Sequence, residues 1–453
     1  MMTFAGRLTR VLIAMLWVVM VFGSSPVARQ AGGVPIADLE EFPQNPFRYI
    51  SGPPDEPFIS TEERNKALSG FRGRLFAPWG RKKPAHSIDA VMWPWRAFTS
   101  ETGDLAGANL RSPKEAWFES MKKKAAMERF GTLNERGIVV RETNLRNFPT
   151  NEPLFRDPSL PGEGFPFDYL QQTVLRPGEP LFVSHLSAEG DWAFVESPQA
   201  AGWADIRDLA FADERFVTEW MSRPLGVAVT EGLAVRNTRG RFVFSLGVGS
   251  VIPLGNPASD QAGRRRVLIP LSDADGTAVI SVGYTQEGGL AGFPLEYNLW
   301  NVAKIMAELA GSPYGWGTIL GNRDCSAMLK DLFAPFGLWL PRHSADQAGQ
   351  GERLSLKGLS PEEKEAEILA KGIPFRTLLW LPGHVMLYAG SYRGRIAVFH
   401  AFWGIRTRTE SRQGREIVGT TAFTSLEPGK ELPFADLEAT YLKRLESMTI
   451  LFR

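Results

Sequence analysis

The sequence predicts a multidomain α+β chain, with a C-terminal α+β domain behind two small β-barrels and a mainly helical or extended N-terminal segment. Three observations lead there. The 453 residues suffice for about three domains of ordinary size. Apolar residues at 43% and charged residues at 22% allow real cores. The pattern also changes twice: proline-broken and helical stretches give way to short β-type runs near residue 132, and these to helices followed by strands near residue 296. The expected limits are 1–30 for an export signal, 31–131 for the arm and helical segment, 132–224 and 225–295 for the two β units, and 296–453 for the last domain.

Arg7 and Arg10 precede the apolar run "VLIAMLWVVMVFG" (11–23), and small residues follow in "SSPVA". That order reads as a secretory signal. The run is short against the roughly 20 apolar residues of a spanning helix; an uncleaved anchor is the alternative. No cysteine follows it, which excludes a lipid-modified N-terminus. The mature chain is expected in the periplasm or cell envelope, without stable membrane insertion. It is read as a monomer. Fifty-one basic against fifty acidic residues leave a net charge of +1 with no basic stripe, which argues against nucleic acid as a partner.

"PQNPFRYISGPPDEPF" is too proline-broken for helix or central strand and reads as an arm able to wrap over another domain. "SPKEAWFESMKKKAAMERF" (112–130) is the clearest early helix, with Ser112 as N-cap, Pro113 at the first turn and Glu115 behind it. "EPLFVSHLS" (179–187) and "WAFVES" (192–197) make a hairpin across "AEGD", and a weaker version of the same spacing runs through residues 226–284. In the last domain Leu299, Val302, Ile305, Met306 and Leu309 recur at helical intervals, ended by Gly311. A second helix runs from about 325 to 333 before Pro335. A third opens at Ser360, where Glu363 completes a capping box. Strands then dominate in "HVMLYAG", "RIAVFHAF" and "EIVGTTAFTS".

The single cysteine, Cys325, lies at the mouth of the second helix. In an exported chain one thiol cannot close an internal disulfide, so it is either a reactive group or a buried small hydrophobe. Reactivity needs a thiolate, which a helix N-terminus and a nearby imidazole favour. Of the five histidines, His384 and His400 fall on consecutive strands, and a hairpin centred near Tyr392 sets them opposite one another on one face. One imidazole would then face the thiol while the other orients it. A one-residue register slip would turn them to opposite faces. A zinc site from the same three residues is an alternative, although it lacks close paired ligands. His343, His86 and His185 are read as non-catalytic. Asp324 is a poor activator of the adjacent thiol. It serves instead as a helix cap, as a group that holds a substrate cation, or as both.

"SPYGWGTILGNRDCSAM", "LPRHSADQAGQG", "LPGHVMLYAG" and "VFHAFWG" together resemble the NlpC-type cell-wall cysteine peptidases, over about 130 residues. The resemblance implies a papain-like α+β catalytic domain with Cys325 as nucleophile, His384 as base and His400 as the orienting group. "RETNLRNFPTN" with "FDYLQQTVLRPGEPLFVSHLSAEGDWAFVESPQAAGWADI" resembles the bacterial SH3-like domains of one branch, and residues 226–295 a more divergent copy. The region from 31 to about 130 resembles that branch's N-terminal segment.

What the resemblance implies is hydrolysis of peptidoglycan stem peptides between D-γ-glutamate and a diamino acid such as meso-diaminopimelate, on stems whose L-alanine has a free amine. By the same resemblance Asp324, Ser326, Tyr314, Trp316 and Ser344 line the substrate site, with Asp324 facing the amine, and Arg342 and Tyr169 are further candidates. No cofactor or metal is implied. Two departures stand out. The stretch "GTILGNRD" is about one residue short, and residues 349–381 hold an inserted helix. A non-catalytic wall-binding protein and an amidase or acyl transferase on the same fold are the rival readings.

Overall fold

The computed structural model describes residues 36–256, 263–410 and 412–451. The signal expected at 1–30 lies outside the described residues. Among those described, no helix is long and apolar enough to cross a membrane.

The arm is where the proline-rich text put it, as short helical turns at Asp38–Glu41 and Pro46–Tyr49 joined by extended chain. It packs on the C-terminal domain, and Phe42 and Tyr49 join that domain's core. The Tyr49 ring stacks on Phe423 at 4.5 Å between centroids. The helix Thr61–Leu75 begins with a full capping box from Ser60 and Glu63. The next long helix corrects the sequence reading. It starts at Glu115, with Lys114 at the cap position and no side-chain cap, so Ser112 does not cap it.

The first β unit is a seven-stranded antiparallel sheet between Glu135 and Phe211. Its end strands, Gln171–Leu175 and Leu209–Phe211, do not pair with each other, so the expected barrel is not closed by hydrogen bonds. Leu175 and Leu209 nevertheless share one core with Val139, Val183 and Val195, which requires the sheet to curl on itself. The second unit splits into a three-stranded and a four-stranded antiparallel sheet over a common core that includes Val235, Ile252 and Val267.

The C-terminal domain packs helices α1 (Leu299–Leu309) and α2 (Cys325–Phe333) on an antiparallel six-stranded sheet. Its strands are β1 (Glu352–Ser355), β2 (Thr377–Leu381), β3 (His384–Tyr392), β4 (Arg395–Arg408), β5 (Gln413–Thr424) and β6 (Ser447–Ile450), in the order β1-β6-β2-β3-β4-β5. Val302, Ile305, Met306 and Leu309 on one face of α1 meet Met328, Leu332 and Phe333 of α2 in the same core. Each such side chain contributes about 1.5–3 kcal/mol on burial. The inserted helix α3 (Pro361–Lys371) carries the expected capping box at Ser360 and Glu363.

A buried charge cluster binds the three sheet units together. Asp331 of α2 accepts from Arg323 at 2.7 Å, from Arg176 of the first β unit at 2.5 Å and from Lys330 at 2.7 Å, and Arg323 also reaches Glu231 of the second unit. Burial alone would raise the Asp331 pKa, but Arg176, Lys330 and Arg323 hold it far below the usual carboxylate range. The angle of α2, and with it Cys325, is thereby tied to both β units.

Candidate active site

The N-terminus of α2 is built around Asp324. Its side chain accepts from the Ala327 N–H at 2.9 Å as a helix cap, and from Gly317 N–H at 3.0 Å. Arg342 grips both carboxylate oxygens, at 3.0 and 2.5 Å, and Ser326 Oγ adds a fourth partner at 3.1 Å. Burial works against this charge, yet Arg342 and these hydrogen bonds keep the Asp324 pKa below its ordinary value. Asp324 is 6% exposed and both oxygens are engaged, so it acts as a cap and arginine partner. Arg342 and Ser326 are buried parts of the same network, and Gln347 adds a hydrogen bond from its amide to the Ser326 carbonyl at 2.8 Å. Ser344 opens the short helix that follows Arg342 and His343.

Cys325 is the first residue of α2 and is 8% exposed, facing β3 and β4. Burial and then the Asp324 charge push its thiol up to about 12, opposed by a hydrogen bond from the Val385 N–H and by Arg342. Burial, followed by Arg444, pushes His384 down to about 3. Both groups rest neutral. The thiol is held by the N–H of Val385, the residue that follows His384 in β3.

The two histidines are joined directly, with His384 Nε2 and His400 Nδ1 2.8 Å apart. They meet by a route the sequence did not foresee. The hairpin turns at residues 393–394, with Tyr392 opposite Arg395, and not around Tyr392. From that turn the two histidines would fall on opposite faces. A bulge at Ala389 inserts one extra residue, and beyond it Leu387 pairs with Phe399. The parity is restored, and His384 and His400 become diagonal neighbours on one face rather than directly opposed.

Thr424 of β5 decides where the protons sit. Its hydroxyl donates to the Ser425 carbonyl at 2.8 Å and must therefore accept from His400 Nε2–H at 2.9 Å. His400 Nδ1 is then the acceptor for His384 Nε2–H. The remaining nitrogen, His384 Nδ1, carries the lone pair and is left for the thiol. His400 is fully buried, and the adjoining Phe402 ring is parallel to it at 4.3 Å. Tyr441 stacks on His384 at 5.0 Å and meets His400 edge-on at 5.4 Å. With the two imidazoles bonded ring to ring, no group of three or more His, Cys, Asp or Glu side chains among the described residues converges on a metal position. Neither Thr424 nor Tyr441 was singled out from the sequence. Nothing local marks them, because both arrive from elements remote in the chain.

The wall facing the thiol comes from two domains. Tyr314 and Trp316 precede α2, and Phe167 of the first β unit packs on both, at 6.2 and 5.3 Å. Trp403 closes the group against Phe167 and Tyr314. Tyr169 lies 6.2 Å from Trp316 and donates its hydroxyl to Glu163 at 3.0 Å. The short stretch before Cys325 is held tightly. Gly317 has φ of 58°, and a Cβ there would come within 2.6 Å of Gln171 Cγ. Thr318, also in the left-handed region, accepts from Val174 N–H at 2.6 Å. The stretch is thus docked onto the strand Gln171–Leu175. His185, by contrast, is buried in an aromatic cluster of the first β unit, and His86 and His343 are exposed.

Comparison with known proteins agrees with this geometry. Residues 311–411 match the NlpC/P60 family, 153–205 an SH3 domain of SH3b1 type, 213–255 an SH3 domain of SH3b2 type, and 11–130 the N-terminal NLPC_P60 stabilising domain. No curated protein matches the chain. Among solved structures, an NlpC/P60 endopeptidase from Photobacterium damselae subsp. piscicida is similar at a TM-score of 0.81 and 24% identity, over 93% of this chain and 99% of that one. An NlpC/P60 family protein from Bacillus cereus ATCC 10987 is similar at a TM-score of 0.46 and 14% identity, over 70% of this chain and all of that one. The chain carries two SH3-like domains followed by a domain of the NlpC/P60 family, a family of cysteine peptidases.

Proposed function

We propose that the protein is an exported cysteine endopeptidase that cleaves the D-γ-glutamyl–meso-diaminopimelate bond of peptidoglycan stem peptides. The observation that carries this reading is the chain of hydrogen bonds from Ser425 through Thr424 and His400 to His384, which leaves His384 Nδ1 unprotonated, one residue before the Val385 N–H that bonds the Cys325 thiol. In the reaction His384 takes the thiol proton as sulfur attacks the γ-carbonyl carbon. The N–H groups of Cys325 and Ser326, at the start of α2, face the developing oxyanion. The C–N bond breaks, His384 gives its proton to the departing amine, and a thioester remains. Water then attacks with His384 again as base, which releases the acid and restores the thiol.

Stems with a free N-terminal L-alanine remain the preferred substrates in this reading. With Asp324 engaged by Arg342, the amine is assigned to Glu163, which the Tyr169 hydroxyl holds at the edge of the aromatic wall and which has no ion pair among the described residues. Wild type and a C325A variant incubated with L-Ala-γ-D-Glu-meso-diaminopimelate test the reading through release of free diaminopimelate, followed by mass spectrometry. Equal release by both proteins would end it. An acetylated N-terminus should lower turnover, and E163Q should remove the difference between the acetylated and free peptides.

A further inference from the structure

Beside Tyr441 an open cleft of about 400 Å³ separates the β4–β5 hairpin from the segment leading to Arg444. Arg406, Arg415 and Arg444 all line it. Arg406 and Arg415 are direct cross-strand partners, an arrangement in which like charges repel. Among the described residues neither side chain has an ion pair or hydrogen bond, and the Nε of Arg415 is buried without a partner. Arg444 makes one bond, to the Pro382 carbonyl at 3.2 Å. The carboxylates in the cleft are already engaged, Asp436 by Arg408 and Glu427 by Lys430. Burial first, and then the neighbouring guanidinium of Arg406, lower the pKa of Arg415 and of Arg444. Three cations are therefore gathered without an ion-paired counter-charge, and Glu163 is the carboxylate whose field reaches Arg415.

The cleft adjoins the reacting atoms on a defined side. Tyr441 lines it, stacks on His384 and lies within electrostatic reach of Cys325 and of all three arginines. His384 must return its proton to the leaving nitrogen, so the amine half of the substrate departs along His384 and Tyr441. The acyl half remains over the N-terminus of α2.

We propose that Arg406, Arg415 and Arg444 form a carboxylate subsite for the leaving half of the substrate, which reads the side-chain carboxylate of a diamino diacid. This rests on the endopeptidase reading above. A planar guanidinium pairs bidentately with a carboxylate, and two facing arginines fit one or two such groups. Lysine in the same position offers an ammonium and no carboxylate, and would meet three like charges. The subsite thus selects diaminopimelate over lysine by attraction and by repulsion together.

The test compares kcat/KM for L-Ala-γ-D-Glu-meso-diaminopimelate and L-Ala-γ-D-Glu-L-Lys, in wild type, R406Q and R444Q. Wild type should prefer the diaminopimelate peptide, and each substitution should lower its kcat/KM by about 10- to 100-fold while that of the lysine peptide rises as a like charge is removed. Equal use of both peptides, or equal losses on both in the variants, overturns the subsite. A second arm does not need turnover. Free meso-diaminopimelate and free lysine are titrated calorimetrically into the C325A protein and into C325A carrying R406Q. Diaminopimelate binding that exceeds lysine binding and is lost with R406Q supports the subsite; no difference between the ligands, or no effect of R406Q, overturns it. If wild type cleaves neither peptide the catalytic reading fails, and this binding arm alone decides the subsite.

Discussion

Replacing Thr424 with valine keeps the side-chain shape and removes one hydroxyl. That hydroxyl accepts from His400 Nε2–H and donates to the Ser425 carbonyl, and His400 is fully buried. In T424V the imidazole has two choices. If the proton stays on Nε2, a buried donor is left unpaired, at a cost of about 1–3 kcal/mol. If it moves to Nδ1, it points at His384 Nε2–H, and His384 must shift its own proton to Nδ1, where it faces the thiol and cannot act as base. Either way the productive arrangement loses about 1–3 kcal/mol, which corresponds to a fall in kcat/KM of about 5- to 150-fold. The serine variant T424S retains the hydroxyl and should stay close to wild type. The assay is diaminopimelate release from the tripeptide, paired with ¹⁵N NMR of the two histidines to read their tautomers. A merely structural effect would not change the tautomers. Wild-type kcat/KM in T424V, with unchanged tautomers, would refute the proton assignment.

Four further outcomes are expected. His384, held neutral with a pKa of about 3 against about 6.5 unfolded, binds its proton less readily in the folded state, so stability is fully present above pH 6.5 and falls as pH drops from there toward 3; urea midpoints between pH 7 and 4 should decline in wild type and decline less in H384Q. The same neutral base predicts that the acidic limb of kcat/KM lies below pH 5, and a limb near 6.5 would contradict it. Introducing a methyl group in G317A, at a left-handed φ and within 2.6 Å of Gln171, should displace the loop before Cys325 and lower kcat/KM by about tenfold or more, read alongside a drop in melting temperature. Removing the carboxylate in D38A strips the hydrogen bonds to the Ser425 N–H at 2.6 Å, to its hydroxyl at 2.7 Å and to Arg395, and should cost about 1.5–3 kcal/mol in chemical denaturation, with no loss if the arm is only loosely laid on the domain.

Local chemistry made much of the site readable in advance. Cys325 could be placed at a helix start because Asp324 is a strong cap and Met328, Leu332 and Phe333 repeat on one face. His384 and His400 could be paired because apolar runs flank a short turn. The arm was visible from its prolines, although which domain it wraps was not. The true helix start at Glu115 was misread because a Ser-Pro pair outside a helix has the same spelling as a cap.

What the sequence by itself determined is therefore which groups are candidates for the chemistry and the elements that hold them, since capping, periodicity and turn chemistry act over a few residues. Only the tertiary structure decided how those groups act. The bulge at Ala389 that sets the histidines on one face, and the Thr424 hydroxyl that fixes their protons, depend on partners in neighbouring strands. So do the Arg342 clamp on Asp324 and the meeting of Arg406, Arg415 and Arg444 beside Tyr441. Register, burial and unpaired charge are properties of contacts between distant segments, and no single stretch of the chain carries them.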